Sequence, residues 1–263
     1  MRLRALTKHL REQNWFAVVL DFVIVVFGVG VAMMGQQWLS EREQRADMAV
    51  AQSVLKVDLV KNYSNAKERL ALAECRAQSY RAIATQLLEP VESWVNIVRS
   101  VENDKFKTIL PNALRSPSRD WGSSTWDAEL GRGTFNQLDD QRRMALDSIF
   151  KGAQVAEELQ EHIYTLQGRL KLLTVAPTIS QSDRFRYYDV LAELDDKSTL
   201  LELIAMELID AIEPIMTDLP LADKKELMVM VIGLNEIASD VYGDCYVPIF
   251  WSILSEQTSE TTQ

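Results

Sequence analysis

The chain has 263 residues, a formal net charge of -10, 47% hydrophobic residues, two histidines and two cysteines. An acidic chain without a basic patch has nothing to replace phosphate counterions, which excludes nucleic acid as a partner. Two histidines, His9 and His162, leave metal and general-base chemistry poorly supplied, and no nucleophile elbow, phosphate loop or Cys–His pair accompanies them.

Residues 1–14 form a basic tail. Arg2, Arg4, Lys8 and Arg11 stand against Glu12, a net +3, so the remainder of the chain carries -13. Residues 15–39 follow as the predicted transmembrane helix. Between Phe16 and Gly35 only Asp21 is ionisable, and about 20 residues at roughly 1.5 Å each cross a hydrocarbon core of ~30 Å. Trp15 and Trp38 flank the run, where indoles favour the two membrane–water interfaces. The basic tail orients the N-terminus to the cytoplasm and the bulk to the periplasm of a bacterial inner membrane. A cleaved signal peptide would have a shorter apolar region and a small-x-small site, whereas this run closes on Met33-Met34-Gly35-Gln36-Gln37-Trp38. A tail of fourteen residues is too short for a folded output domain, so signalling across the membrane would need a partner.

Helical periodicity sorts the span into faces. With Asp21 at zero, Ala17, Gly28, Ala32 and Gly35 fall within about 40° of it, and Gly30 falls opposite. Small residues at such spacing let two helices approach closely in lipid. This predicts self-association, with Asp21 either a polar contact across helices or a carboxylate hydrated near the cytoplasmic interface. Leu39, Ala46, Val50 and Val57 continue the same face. With no breaker before Pro90, residues 15–88 read as one helix whose stripe becomes core in the outer domain.

Pro90 opens a second predicted helix with Trp94 on its apolar face. Residues 111–124, rich in Pro, Ser and Gly, read as the exposed loop of the domain. Ser124 or Thr125 is expected to cap a short helix that Gly131 and Gly133 end, and Asp139 or Asp140 to cap the next. That next helix carries Leu146, Ile149, Phe150, Ala153, Ala156, Leu159, Ile163, Leu166, Leu170 and Leu173 at spacings of three and four. A short helix over 184–194, a second over 197–219 and a third opening at Pro220 complete the domain, with Asp195-Asp196 read as caps. Residues 40–255 are thus expected to form a periplasmic helical domain and 256–263 a disordered tail. The fold class is all-α: a transmembrane helix continuing into a long helix of an antiparallel bundle.

Cys75 and Cys245 both lie on the outward side. Two buried thiols would be unremarkable, but an even count in an oxidising compartment favours a disulfide. It would close a loop of about 170 residues, for which chain entropy gives at most about 5 kcal/mol.

The block Asn14-Trp15-Phe16-Ala17-Val18-Val19-Leu20-Asp21-Phe22-Val23-Ile24-Val25-Val26-Phe27-Gly28-Val29 resembles the amino-terminal segment of a family of uncharacterised bacterial single-span membrane proteins, known as a domain of unknown function. Thr125-Trp126-Asp127-Ala128-Glu129-Leu130, Gly133 and Leu138-Asp139-Asp140 are similar to that family's second block. The two blocks cover about 50 residues. The resemblance implies membrane anchoring and a helical outer domain, and no activity. The sequence as a whole predicts a non-enzymatic protein without cofactor or metal. Its helical domain would serve protein–protein interaction, as a homo-oligomer and with an unknown membrane or periplasmic protein. The alternative is a small-molecule sensor bundle acting through a separate membrane partner.

Overall fold

A computed structural model describes residues 15–89, 94, 114–174, 176, 178–217 and 220–249. Every regular element among them is helical: α1 (Trp15–Ala71), α2 (Ala73–Leu88), α3 (Ser124–Arg132), α4 (Asp140–Arg169), α5 (Gln181–Thr217) and α6 (Leu221–Tyr242), with short 3-10 turns at Thr134–Gln137, Lys171–Thr174 and Gly243–Cys245. The contacts divide the chain into two compact units, Met1–Gln52 and Ser53–Gln263.

In the first unit α1 is long and apolar enough to cross a membrane, and none of its apolar window is buried. Asp21, Gly28, Ala32 and Gly35 are all exposed, as are Trp38 and Leu39. A Cβ built on Gly28, Gly30 or Gly35 meets open space.

In the second unit the helix expected over 15–88 is interrupted at Leu72, which separates α1 from α2. The Ala71 carbonyl at the interruption accepts from the Val247 N–H at 3.2 Å. The predicted stripe also needs correction. Ala46, Val50 and Val57 are exposed, Val50 at 65%, while Ala51, Leu55, Leu59, Tyr63 and Ala66 form the core. These buried positions lie roughly opposite Asp21 at 100° per residue. The core takes the side of the helix opposite the one that continues the Asp21 face.

α4 and α5 make the most extensive helix pair, and α2 packs on α5. Gly152 of α4 lies against Leu208 of α5, where a Cβ would stand 3.1 Å from Leu208 Cδ2, and Arg169 reaches Glu193 at 3.9 Å. The ten apolar positions predicted for this helix are all buried; Leu170 and Leu173 lie just beyond the end of α4. Asp139 caps α4 as expected, accepting from the Arg142 N–H at 2.9 Å. α3 departs in detail. Ser123 occupies its N-cap without a side-chain bond, Gly131 lies inside it, and Gly133, at φ 76°, ends it. That left-handed conformation is where glycine avoids the Cβ penalty.

The two helices expected over 184–194 and 197–219 are one, α5, with Pro214 in its last turn. Asp195 and Asp196 therefore cap nothing. Asp195 is paired with Arg76 of α2, whose Nε also donates to Glu202 at 2.7 Å. The cap is instead Ser180, whose hydroxyl accepts from the Asp183 N–H at 3.2 Å. Pro220 precedes α6, which ends at Gly243 as expected. The predicted helix at Pro90, the basic tail and the 256–263 tail lie outside the described residues, as do the side chains of Trp15 and Ala17.

Candidate functional site

The predicted site residues occupy two places. Asp21, Gly28, Ala32 and Gly35 lie in the first unit on an exposed helix, with the Arg42 guanidinium 5.8 Å from the Trp38 ring centroid beyond them. Cys75 and Cys245 lie in the second unit with their Cα atoms 5.3 Å apart, within disulfide range. Cys75 stands three residues past the interruption at Leu72, and Cys245 ends the Gly243–Cys245 turn. The bond and the Val247–Ala71 hydrogen bond therefore fasten the C-terminal segment at the junction of α1 and α2. Asn235 of α6 folds that segment back: its Oδ1 accepts from the Ile249 N–H at 2.9 Å and the Tyr246 hydroxyl at 2.6 Å.

What the sequence did not disclose is a buried polar seam. The segment 114–123, expected to be an exposed loop, is threaded between α1 and α4, with Leu114, Pro117, Trp121 and Gly122 buried. Residues of α1 hold it from one side. Asn62 exchanges two bonds with the Gly122 peptide, each 2.8 Å, and Asn65 donates to the Asp120 carbonyl at 3.1 Å. Glu68 forks onto Arg119 at 2.6 and 2.7 Å, and Arg69 donates to the Pro117 carbonyl at 3.3 Å. α4 holds it from the other side. Glu157 accepts the Trp121 N–H at 2.8 Å, Gln160 pairs with the Arg119 peptide, and Tyr164 donates to Pro117 O at 2.9 Å. A loop without secondary structure can be buried only if its peptide groups are satisfied, and here side chains do that work. Gly122 is needed because a Cβ there would stand 2.9 Å from Asp58 Oδ1.

The signal was present at residues 62, 65, 68 and 69: polar side chains repeating on one face of an otherwise buried helix. Nothing in the sequence said which segment they would hold. Glu68→Ala is expected to cost about 3 kcal/mol, the lower end for a broken buried pair because Arg119 is 32% exposed and can rehydrate. Urea unfolding of the purified protein reads the loss.

Comparison with family models, with curated proteins and with solved structures finds no match for this chain.

Trp94, Trp121 and Trp126 are core residues. Trp126 is 1% exposed and stacks between Phe135 and Phe150 at centroid distances of 4.8 and 5.4 Å. Trp94 and Trp121 are buried, and Tyr187 and Tyr188 are half-buried. A shallow pocket of about 260 Å³ between α2 and α5 is lined by Tyr80, Arg81, Tyr188, Asp195 and Asp196, among others. His162 and Glu158 are both exposed on α4, and among the described residues no cluster of His, Cys, Asp or Glu has the makings of a metal site. The phenols of the seam are shifted upward. Burial, with help from Glu68, pushes Tyr246 up to about 12 and raises Tyr242 as well, so both stay neutral donors at physiological pH.

Proposed function

We propose that the chain is a non-enzymatic, single-span protein of the bacterial inner membrane. Its basic tail is cytoplasmic, and its helical domain stands in the periplasm for protein–protein interaction. The observation that carries this reading is the unburied apolar window of α1. A core helix of a soluble protein would bury such a window, and an exposed one needs an apolar medium. The charge asymmetry around it supports the orientation, and the Cys75–Cys245 pairing supports an oxidising compartment. The resemblance of residues 14–29 to a family of membrane-anchored proteins belongs to the same reading. The neighbours Gly152–Leu208 and Arg169–Glu193 support an antiparallel bundle, since residue numbers fall along α4 as they rise along α5.

The protein self-associates through the face of the span that carries Asp21, Gly28, Ala32 and Gly35. Two glycines there leave room for a second backbone, and in lipid, packing of this kind drives helix pairing. Because a Cβ at Gly28 meets nothing within its own chain, Gly28→Leu is a clean test of that face. Cross-linking in native membranes, or a bacterial two-hybrid assay, is expected to show association reduced by about tenfold in Gly28→Leu, the equivalent of about 1.4 kcal/mol. Asp21→Leu is expected to weaken it as well. Unchanged association in both variants rejects the interface.

A further inference from the structure

Within the first unit, α1 carries its apolar stripe past the end of the span. Leu39 is 53% exposed and Val50 65%, and Ala46 between them is exposed as well. Counted along the helix axis from Trp38, Ala46 lies about 12 Å and Val50 about 18 Å further out. A headgroup layer is about 5–8 Å deep, so lipid does not reach Val50. One exposed valine is ordinary on a protein surface, and the spacing is what sets this stripe apart. Gly28, Leu39 and Val50 stand eleven residues apart, and Gly35 and Ala46 repeat the interval, which Val57 continues in the sequence. Eleven residues fill three turns at about 3.67 per turn, so each series stays on the Asp21 side, drifting only about 20° per repeat. This period favours a right-handed pairing of helices, the hand that small residues four apart also favour in lipid.

The charges beside the stripe are sorted by sign. With Asp21 at zero, Glu43 and Asp47 fall at about +40° and +80°, whereas Arg42 and Arg45 fall at about −60° and −120°. All four are exposed. Arg45 bonds to Glu41 at 3.5 Å, round the back of the helix, and Arg42 lies over the Trp38 ring. A second copy in the same bilayer has the same orientation and the same depth, so two such helices meet parallel and in register. The two-fold axis of that pair sets the acidic flank of each copy against the basic flank of the other, which brings Glu43 opposite Arg42 twice.

We propose that two copies of α1 pair beyond the membrane as a parallel, right-handed stalk through Leu39, Ala46 and Val50, with Arg42 of each copy facing Glu43 of the other. The stalk rests on the single-span, self-associating reading and extends its interface into water. Oxidative cross-linking of the full-length protein in native membranes tests it. Cys75 and Cys245 are bonded to each other, so a cysteine introduced into α1 is the free thiol. Val50→Cys is expected to give at least about fivefold more linked dimer than Gln52→Cys, an exposed position about 160° round the helix. Equal yields overturn the stalk; if Gly28→Leu still weakens association in that case, pairing ends at the membrane and the span reading stands. A Val50→Cys yield that survives Gly28→Leu undiminished supports the stalk and counts against the span interface. In the two-hybrid assay Arg42→Glu is expected to lower association about threefold, and Arg42→Glu combined with Glu43→Arg to restore it. A double variant as weak as the single one overturns the pairing of the flanks.

Discussion

Reduction of the Cys75–Cys245 bond lowers the thermal midpoint of the second unit by about 10 °C. The two residues are 170 apart in sequence, so the bond removes a large loop from the unfolded ensemble. Chain entropy puts its ceiling at about 5 kcal/mol, and measured bonds deliver about 2–4 kcal/mol. For a domain of this size each kcal/mol moves Tm by about 2–4 °C. α6 is joined to the rest of its unit through the Arg115–Val241 and Val247–Ala71 hydrogen bonds and through the buried rings of Tyr242 and Tyr246. Thermal unfolding with and without reductant, repeated on Cys75→Ala, measures the effect. Identical midpoints in all three samples would mean that the bond contributes nothing to stability.

Trp126→Ala destabilises the domain by about 3–5 kcal/mol, the usual range for deleting a buried aromatic. Among the described residues Trp126 is the largest fully buried side chain, held between Phe135 and Phe150, and its Nε1 lies 3.4 Å from Asp147 Oδ1. It joins three successive elements, α3, the Thr134–Gln137 turn and the start of α4. Its removal opens a cavity at the corner from which α4 departs. Trp126→Phe keeps part of the stack and is expected to lose about half as much. Urea unfolding reads both, and equal stability of Trp126→Ala and the native protein would show that the corner relaxes to fill the space.

These effects sort differently by origin. The Trp126 corner was legible because its signals are local: Gly133 ends a helix, Asp139 caps the next, and the α4 stripe repeats within a few turns. The cysteine pairing was legible as a possibility, since the chain holds an even count of two, but only proximity brings Cys75 to Cys245. Val50 and Val57 are apolar and in phase with Gly28 yet exposed, because periodicity says nothing about which face a fold will bury. The break expected between 194 and 197 did not occur, because Asp195 bonds across to Arg76 and the helix runs on through it.

By itself the sequence determined that the chain is helical, that one segment is apolar enough for a membrane, and where most of the later helices start and stop. All of these depend on composition and on neighbours within about four residues. Tertiary structure alone decided that residues 114–123 lie between α1 and α4, that Asn62, Asn65 and Glu68 hold them, and that Arg69 is buried against the Pro117 carbonyl. Those facts depend on bonds between residues some 50 positions apart, and such partners are chosen by geometry that no local pattern encodes.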